Sequence, residues 1–265
     1  MKTAVRLLLA CFFLLPLLWT LATALKSEAD LNVYPAPLLP TRLHWGNFAA
    51  AQEIVPMLRY TWNTAWIGLL CALGHLLSCP LAAYALARRP GPWTRFIWSL
   101  TLAAYVVPYP VVMLGHYALF QKLDWINTYW PLILPSFLGN PFFILYLTDV
   151  FRRFPRELEE AAQMEGASDV TVLFRVVLPL SKPALAAMAV FTLQGAWNDF
   201  LAPLLYLQDQ SLYTVNLGLQ FYRSAYQVSW TLMMAASLIS IAPVVLLFFA
   251  AQTAFIGDAR KGSGK

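Results

Sequence analysis

The sequence predicts an all-α membrane protein with six transmembrane helices. Three observations carry that prediction. Of the 265 residues, 60% are hydrophobic and 12% charged, whereas an ordinary soluble domain carries about 25% charged residues. Six apolar stretches are each long enough to cross a hydrocarbon core of about 30 Å at a helical rise of about 1.5 Å per residue. None alternates in the period-two pattern of a lipid-facing barrel strand.

In chain order the expected spans are Ala4–Leu25, Trp62–Ala87, Phe96–Phe120, Pro131–Val150, Leu185–Leu207 and Thr231–Phe255. Prolines fall inside several of them (Pro16, Pro80, Pro108, Pro110, Pro203 and Pro243). Each implies a kink whose freed carbonyl a neighbouring helix must satisfy. The first stretch follows Lys2 and Arg6, and Ala22-Thr23-Ala24 resembles a signal cleavage site. Its apolar run of nearly twenty residues exceeds the roughly 7–15 of a signal core. Leu8-Leu9-Ala10-Cys11 resembles a lipoprotein site, yet the apolar run continues past Cys11. A retained helix is expected.

Basic residues set the orientation. With the N-terminus inside, thirteen lie on the cytoplasmic side: Lys2, Arg6, Arg88, Arg89, Arg95, Arg152, Arg153, Arg156, Arg175, Lys182, Arg260, Lys261 and Lys265. Lys26, Arg42, Arg59, Lys122 and Arg223 lie outside. This asymmetry places both termini in the cytoplasm. The formal charge of +5 therefore reflects topology. No separate basic domain or motif points to nucleic acid.

Residues 152–183, RRFPRELEEAAQMEGASDVTVLFRVVLPLSKP, hold ten of the thirty-one Asp, Glu, Lys and Arg residues. Pro155 suits the first turn of a helix, and Glu157, Glu159 and Glu160 place acidic charge near its positive end. Gly166 suits the left-handed turn that stops it. Ser168 or Asp169 is a candidate cap for a second helix with Val172, Leu173, Val176 and Val177 on its apolar face. Pro179 and Pro183 return the chain to the membrane. A short helix, a tight turn and another short helix form a knuckle, whose mixed apolar and charged surface suits docking better than a solvated loop.

Glu160-Ala161-Ala162, three residues, Gly166, nine residues, Val176, one residue, then Leu178-Pro179 resembles the EAA loop of ATP-binding-cassette importer permeases. Trp19–Lys26, "LNVYPAPLLP" at 31–40, "AAYALAR" at 82–88, "INTYWPLILP" at 126–135 and "GAWNDFLAPLL" at 195–205 resemble the maltose-type carbohydrate-uptake branch of that family. The likeness runs in order along essentially the whole chain. It implies a type I importer permease fold, with residues 1–265 a single transmembrane domain in the inner membrane of a bacterium or archaeon. It implies that the EAA segment is a coupling helix seated in a cleft of a separate ATPase. Glu160 would be the docking acid, Ala161 and Ala162 would permit close backbone approach, and Gly166 would set the turn, with Leu178-Pro179 completing the motif. The implied partners are a second homologous permease, two ATP-binding-cassette ATPase subunits and an extracytoplasmic substrate-binding protein. The implied cargo is a sugar or sugar derivative, with glycerol phosphate, a polyamine or another polar solute as alternatives.

No G-x-x-x-x-G-K-[ST] phosphate loop occurs; the terminal KGSGK lacks the following Ser or Thr. The chain is therefore expected to bind no cofactor itself, ATP and Mg sitting on the partner ATPase, and to be no enzyme. No Ser-His-Asp set or H-E-x-x-H motif supports an intramembrane enzyme. No internal repeat supports an ion-coupled secondary transporter, and that reading leaves the knuckle unexplained.

Polar groups within spans are the next candidates. Gln194, Asn198 and Asp199 in the fifth span suit a pathway or gate, or a hydrogen-bonded brace between helices, the brace being preferred. His75 and His116 suit interhelical bonds better than ligands. Cys11, Cys71 and Cys79 all lie in expected spans and suggest neither disulfide nor metal site. Outside, residues 26–60 form a Pro-rich loop ending in an amphipathic piece, Phe48–Tyr60, and residues 208–230 form the last external loop. The resemblance implies that the tip of the latter, Gln208, Asp209, Gln210, Ser211, Leu212 and Tyr213, faces the binding protein; an ordinary interfacial loop is the alternative. One departure stands at the end. Gln252-Thr253-Ala254-Phe255-Ile256-Gly257 lacks the basic residue and Tyr usual in the family, which puts a tail contact with the ATPases in doubt.

Overall fold

The computed structural model describes residues 2–222 and 229–262. Arg223 and Lys265, counted above among the basic residues, lie outside the described residues, as do positions 224–228 of the last external loop. The described chain is helical and contains no strand. Its helices are α1 Lys2–Ala24, α2 Glu28–Leu31, α3 Gly46–Ile54, α4 Met57–Arg88, α5 Pro92–Val106, α6 Tyr109–Lys122, α7 Trp130–Phe137 and α8 Pro141–Arg152. They continue with α9 Glu157–Met164, α10 Asp169–Val172, α11 Leu178–Leu180, α12 Lys182–Asn198, α13 Leu201–Tyr206, α14 Val215–Leu219 and α15 Trp230–Gly262.

Proline chemistry explains where apolar stretches break. The ring of a proline clashes with the carbonyl four residues earlier, and the residue before it avoids helical geometry. Pro110 stands four after Val106, where α5 ends, and Val107, which precedes Pro108, is extended at φ −70°, ψ 118°. The stretch Phe96–Phe120, expected as one span, is thus two helices bent by 98°. Pro203 stands four after Asp199, and the stretch Leu185–Leu207 breaks there between α12 and α13. At the other end of α12, the chain bends by 79° from the helical run Asp169–Leu180. The expected piece Phe48–Tyr60 is interrupted at Val55-Pro56, so α3 ends and α4 begins. Pro16, Pro80 and Pro243 are accommodated inside α1, α4 and α15.

Among the described residues, Met57–Arg88 and Trp130–Arg152 are each long and apolar enough to cross a membrane. The bent pairs α5 with α6, and Asp169–Leu180 with α12, pass the same test together. Leu8–Ala24 and Trp230–Leu246 are apolar over shorter lengths.

The helices group into two compact units, residues 63–213 and the remainder. In the unit holding the chain ends, α1 and α3 pack on α15. Asn47 ties off the end of α1, its Nδ2 donating to the carbonyls of Ala24 and Lys26 at 2.8 Å. Ser27 and Asp30 form a reciprocal capping box on α2, and the Thr41 hydroxyl donates to Asp30, holding its carboxyl below the ordinary range. Glu28 accepts from Ser229 and Thr231 at the start of α15. Lys26 is buried with its Nζ 4.7 Å from the Trp19 ring centroid.

The unit of residues 63–213 carries the larger core. Cys79, Ala83, Phe143, Leu147, Phe151, Val172, Leu173, Val177, Ala184 and Met188 form one buried cluster, so α4, α8, α12 and the second half of the knuckle share it. Close helix approach depends on small residues, as is common between membrane helices. A Cβ at Gly74 would collide with Ser136 Oγ and the Phe137 ring, and one at Gly68 would press on Leu193 and Ala196. Ser78 Oγ donates to the Ser136 carbonyl at 3.0 Å, and His75 Nδ1 meets Thr192 Oγ1 at 3.0 Å between α4 and α12. Cys71 and Cys79 are buried free thiols and Cys11 is an exposed one.

Candidate functional site

The knuckle begins where Pro155 stops α8 from continuing. Arg156 is the N-cap of α9, and Glu157, Glu159 and Glu160 occupy its first turn, where acidic charge offsets the helix dipole. The helix stops at Gly166, whose φ of +88° is a conformation that side chains with a Cβ resist. The amide of Ala167 returns to the carbonyl of Ala162 at 3.0 Å. Ser168 caps the second segment, its Oγ accepting from Thr171 N at 3.3 Å. That segment runs through α10 and a wider π turn at Leu173–Val177, in which Leu178 N–H reaches back to Leu173 O. The widening precedes Pro179, which has no N–H to give and whose ring crowds the carbonyl of Arg175.

Three side chains fix this knuckle to the end of α4. Glu159 is buried, and its Oε1 accepts from Arg88 Nε at 2.7 Å within a closer ion pair at 2.5 Å. Its Oε2 accepts from the Tyr84 hydroxyl at 3.0 Å. Arg88 Nη2, the nitrogen of that ion pair, also donates to the Phe154 carbonyl at 3.2 Å. Both carboxylate oxygens are thus paired, which a buried charge requires. Arg89 pairs with Asp169 at 3.0 Å at the start of α10, and Gln163 Nε2 donates to Asp169 at 3.1 Å. That second pair is solvent-exposed, so it contributes under about 1 kcal/mol. A cleft of about 430 Å³ is lined by Tyr84, Arg88, Arg156, Glu159, Glu160 and Gln163, among others.

Glu160 lies at the rim of that cleft and stays in solvent. It is exposed, as are Ala161 and Gly166, while Ala162 is half-buried against the core. Beside them Leu158, Met164, Val170 and Phe174 are exposed, Met164 at 89%. The apolar set Val172, Leu173, Val176 and Val177 is not part of this surface, since it packs into the core around Leu147 and Phe151. Leu178 is half-buried and Pro179 exposed.

In the fifth stretch, Asp199 ends α12, and its Oδ1 accepts from Ala202 N at 3.2 Å in the first turn of α13. Asn198 Nδ2 donates to Gln194 O at 2.9 Å within its own helix; Gln194 and Asn198 are exposed and Asp199 is half-buried. The last external loop starts after α13. Gln208, Asp209 and Gln210 are exposed, and Ser211, Leu212 and Tyr213 half-buried. Gln210–Leu212 form a single 3₁₀ turn, capped by Asp209 Oδ1 accepting from Ser211 N at 2.7 Å. Asn127 Oδ1 and Asn63 Nδ2 reach this loop from elsewhere in the chain.

Sequence reasoning assigned no separate role to Glu159, Tyr84, Arg88, Asn63 or Asn127. A signal existed for one set. Tyr84 and Arg88 stand one helical turn apart in AAYALAR, so two donors on one face asked for an acceptor.

Residues 78–261 match the family described as the inner membrane component of binding-protein-dependent transport systems. The match takes in most of the chain, including the entire knuckle and the external loop. The chain belongs to this family. It is thus a membrane protein and an importer permease subunit. It is 31% identical over 253 residues to the sulfoquinovosyl glycerol transport system permease protein SmoH of Agrobacterium fabrum, covering 95% of this chain and 89% of that one. It is 32% identical to the arabinooligosaccharides transport system permease protein AraQ of Halalkalibacterium halodurans, covering 78% and 75% of the two chains. The diacetylchitobiose uptake system permease protein NgcG of Streptomyces coelicolor is 28% identical, with coverage of 98% and 87%. In fold, the chain is similar to one in the crystal structure of a bacterial ABC transporter involved in import of the acidic polysaccharide alginate. The TM-score is 0.79 at 21% identity, with 96% of each chain covered.

Proposed function

We propose that this chain is the membrane-spanning subunit of an ATP-driven, binding-protein-dependent importer of a sugar or sugar derivative, working by alternating access. The carbohydrate named in each of the relatives above supports the cargo class. Six crossings follow when α1, α4, α5 with α6, α7 with α8, α12 with α13, and α15 are each counted once, with both termini in the cytoplasm. A second, similar permease fits beside it: α5 has no buried residue of its own. ATP and Mg belong to a pair of ATPase subunits, and this chain supplies no cofactor site.

The observation that carries the reading is the two-sided knuckle. One face of α9 is anchored to α4 through Glu159, Tyr84 and Arg88. The rest of its surface exposes Leu158, Ala161 and Met164, with Glu160 at the rim of the cleft. Water-facing apolar residues at the end of a membrane protein, where lipid cannot cover them, suit a protein partner. An ATPase seated on Glu160 and Met164 would move α9 as a body, and the buried ion pair would carry that motion to α4. Driving the transporter from 1:99 to 99:1 between its two states requires the ATP-bound partner to favour one by about 5.5 kcal/mol. Outside, the tip Gln208–Tyr213 meets the binding protein.

Affinity purification from the native membrane, followed by identification of co-purifying proteins, tests the reading. An ATPase and a second permease should accompany the wild-type chain, and Glu160→Lys should lose the ATPase while keeping the permease. A chain that purified alone and moved solute into vesicles without ATP would overturn it.

A further inference from the structure

The external loop is held at both ends by asparagines that lie far from it in sequence. Asn127 adopts the left-handed conformation, φ +61°, which Asn tolerates better than most residues. In that conformation its backbone N–H donates to the Tyr206 carbonyl at 2.7 Å. Its Oδ1 accepts from the amides of Gln208 at 2.9 Å and Asp209 at 2.7 Å. At the far end Asn63, buried on α4, donates from Nδ2 to the carbonyls of Ser211 and Tyr213, each at 3.0 Å. The Tyr213 hydroxyl closes the mouth by donating to the Gln208 carbonyl at 3.3 Å.

We propose that Asn127 and Asn63 are positioning residues that pre-form the Gln208–Tyr213 tip for its encounter with the binding protein. This rests on the reading of that tip as a binding-protein contact. A loop ordered before contact loses less conformational freedom on docking, so association strengthens without any new contact. The two asparagines act through opposite ends of the amide group. Backbone amides can only donate and backbone carbonyls only accept, so Asn127 must use its oxygen and Asn63 its nitrogen. The same substitution therefore has opposite outcomes at the two sites. Asn127→Asp keeps an acceptor and tolerates the left-handed backbone, so it holds the loop. Asn63→Asp sets a carboxylate against two carbonyls and releases it. Asn127→Gly keeps the backbone and removes only the side-chain acceptor.

The test uses the complete importer with its binding protein. Hydrogen exchange is followed across the 208–213 segment, and binding-protein stimulation of ATP hydrolysis is taken as a ratio to each variant's own basal rate. A photo-crosslinking residue at Gln210 reports contact with the binding protein. Asn127→Gly and Asn63→Asp should each speed exchange and cut the stimulation ratio about tenfold, while Asn127→Asp stays within about twofold of wild type. Where Asn63→Asp does not assemble, the Gly and Asp variants at 127 decide alone. A crosslink in the wild type with stimulation unchanged in Asn127→Gly overturns the positioning role and leaves the contact standing. No crosslink in the wild type overturns the contact, and the positioning role with it.

Discussion

Glu159 and Glu160 are adjacent in sequence, and burial separates them. Glu159 gives both oxygens to Arg88 and Tyr84, so truncation leaves a buried guanidinium without its counter-charge. Glu159→Ala should destabilise the knuckle by about 3–5 kcal/mol, read as faster hydrogen exchange and proteolysis over residues 157–180. Replacing both partners by methionine should restore most of that loss, because apolar packing can substitute for a buried pair once neither charge remains. If the double variant is as unstable as the single, the pair is not the anchor. Glu160→Lys, by contrast, changes an exposed residue and should leave exchange unchanged while abolishing ATPase recovery. Glu160 is a candidate because motif spacing marks it. Glu159 was not legible, because its partner lies 71 residues away, and no local pattern says which of three first-turn glutamates turns inward.

At the scale of elements, local chemistry was readable and its consequences only partly so. The helix, left-handed turn and capped second helix of the knuckle follow from Glu157, Gly166 and Ser168. The prolines told of kinks but not of their size: Pro108 and Pro110 together produce a full break and Pro203 alone separates α12 from α13, whereas Pro80 is absorbed within α4. The apolar face of the second knuckle helix was identified, yet periodicity cannot say that it faces this chain's own core. Gly166 provides a graded test. Asn tolerates a φ of +88° better than other side chains and Ala tolerates it poorly, while proline is locked near −65°. Nothing stands within 4 Å of a Cβ there, so backbone strain alone sets the order. Uptake should fall from wild type through Asn and Ala to Pro; equal uptake by all four would mean the turn is not used. Gly74 tests the opposite cause. There the backbone is ordinary and space is lacking, so Gly74→Ala should cost about 1–3 kcal/mol by overpacking against Ser136 and Phe137, visible as a lowered thermal midpoint of the purified chain.

For the whole molecule the decisive property is sidedness, and it rests on charge that no packing contact explains. On the proposed topology, with thirteen basic residues inside against five outside, the knuckle is cytoplasmic and the 208–213 loop external, an arrangement that would let one chain meet an ATPase and a binding protein at once. Both segments belong to the same compact unit, so sidedness can be read from two positions within it. Gln163 on α9 and Gln210 on the loop are exposed, and Cys71 and Cys79 are buried. In a Cys11→Ser background, a membrane-impermeant thiol reagent added to intact cells, with the outer envelope opened where there is one, should label Gln210→Cys and spare Gln163→Cys. Inverted vesicles should give the reverse. Labelling of both positions from one side would put the knuckle and the loop in the same compartment and remove the physical basis for an importer. Labelling reversed in both preparations would keep the crossing but invert it, leaving Glu160 with no ATPase to meet. In the expected pattern the chain between Gln163 and Gln210, which runs through α10, α11, α12 and α13, crosses the bilayer.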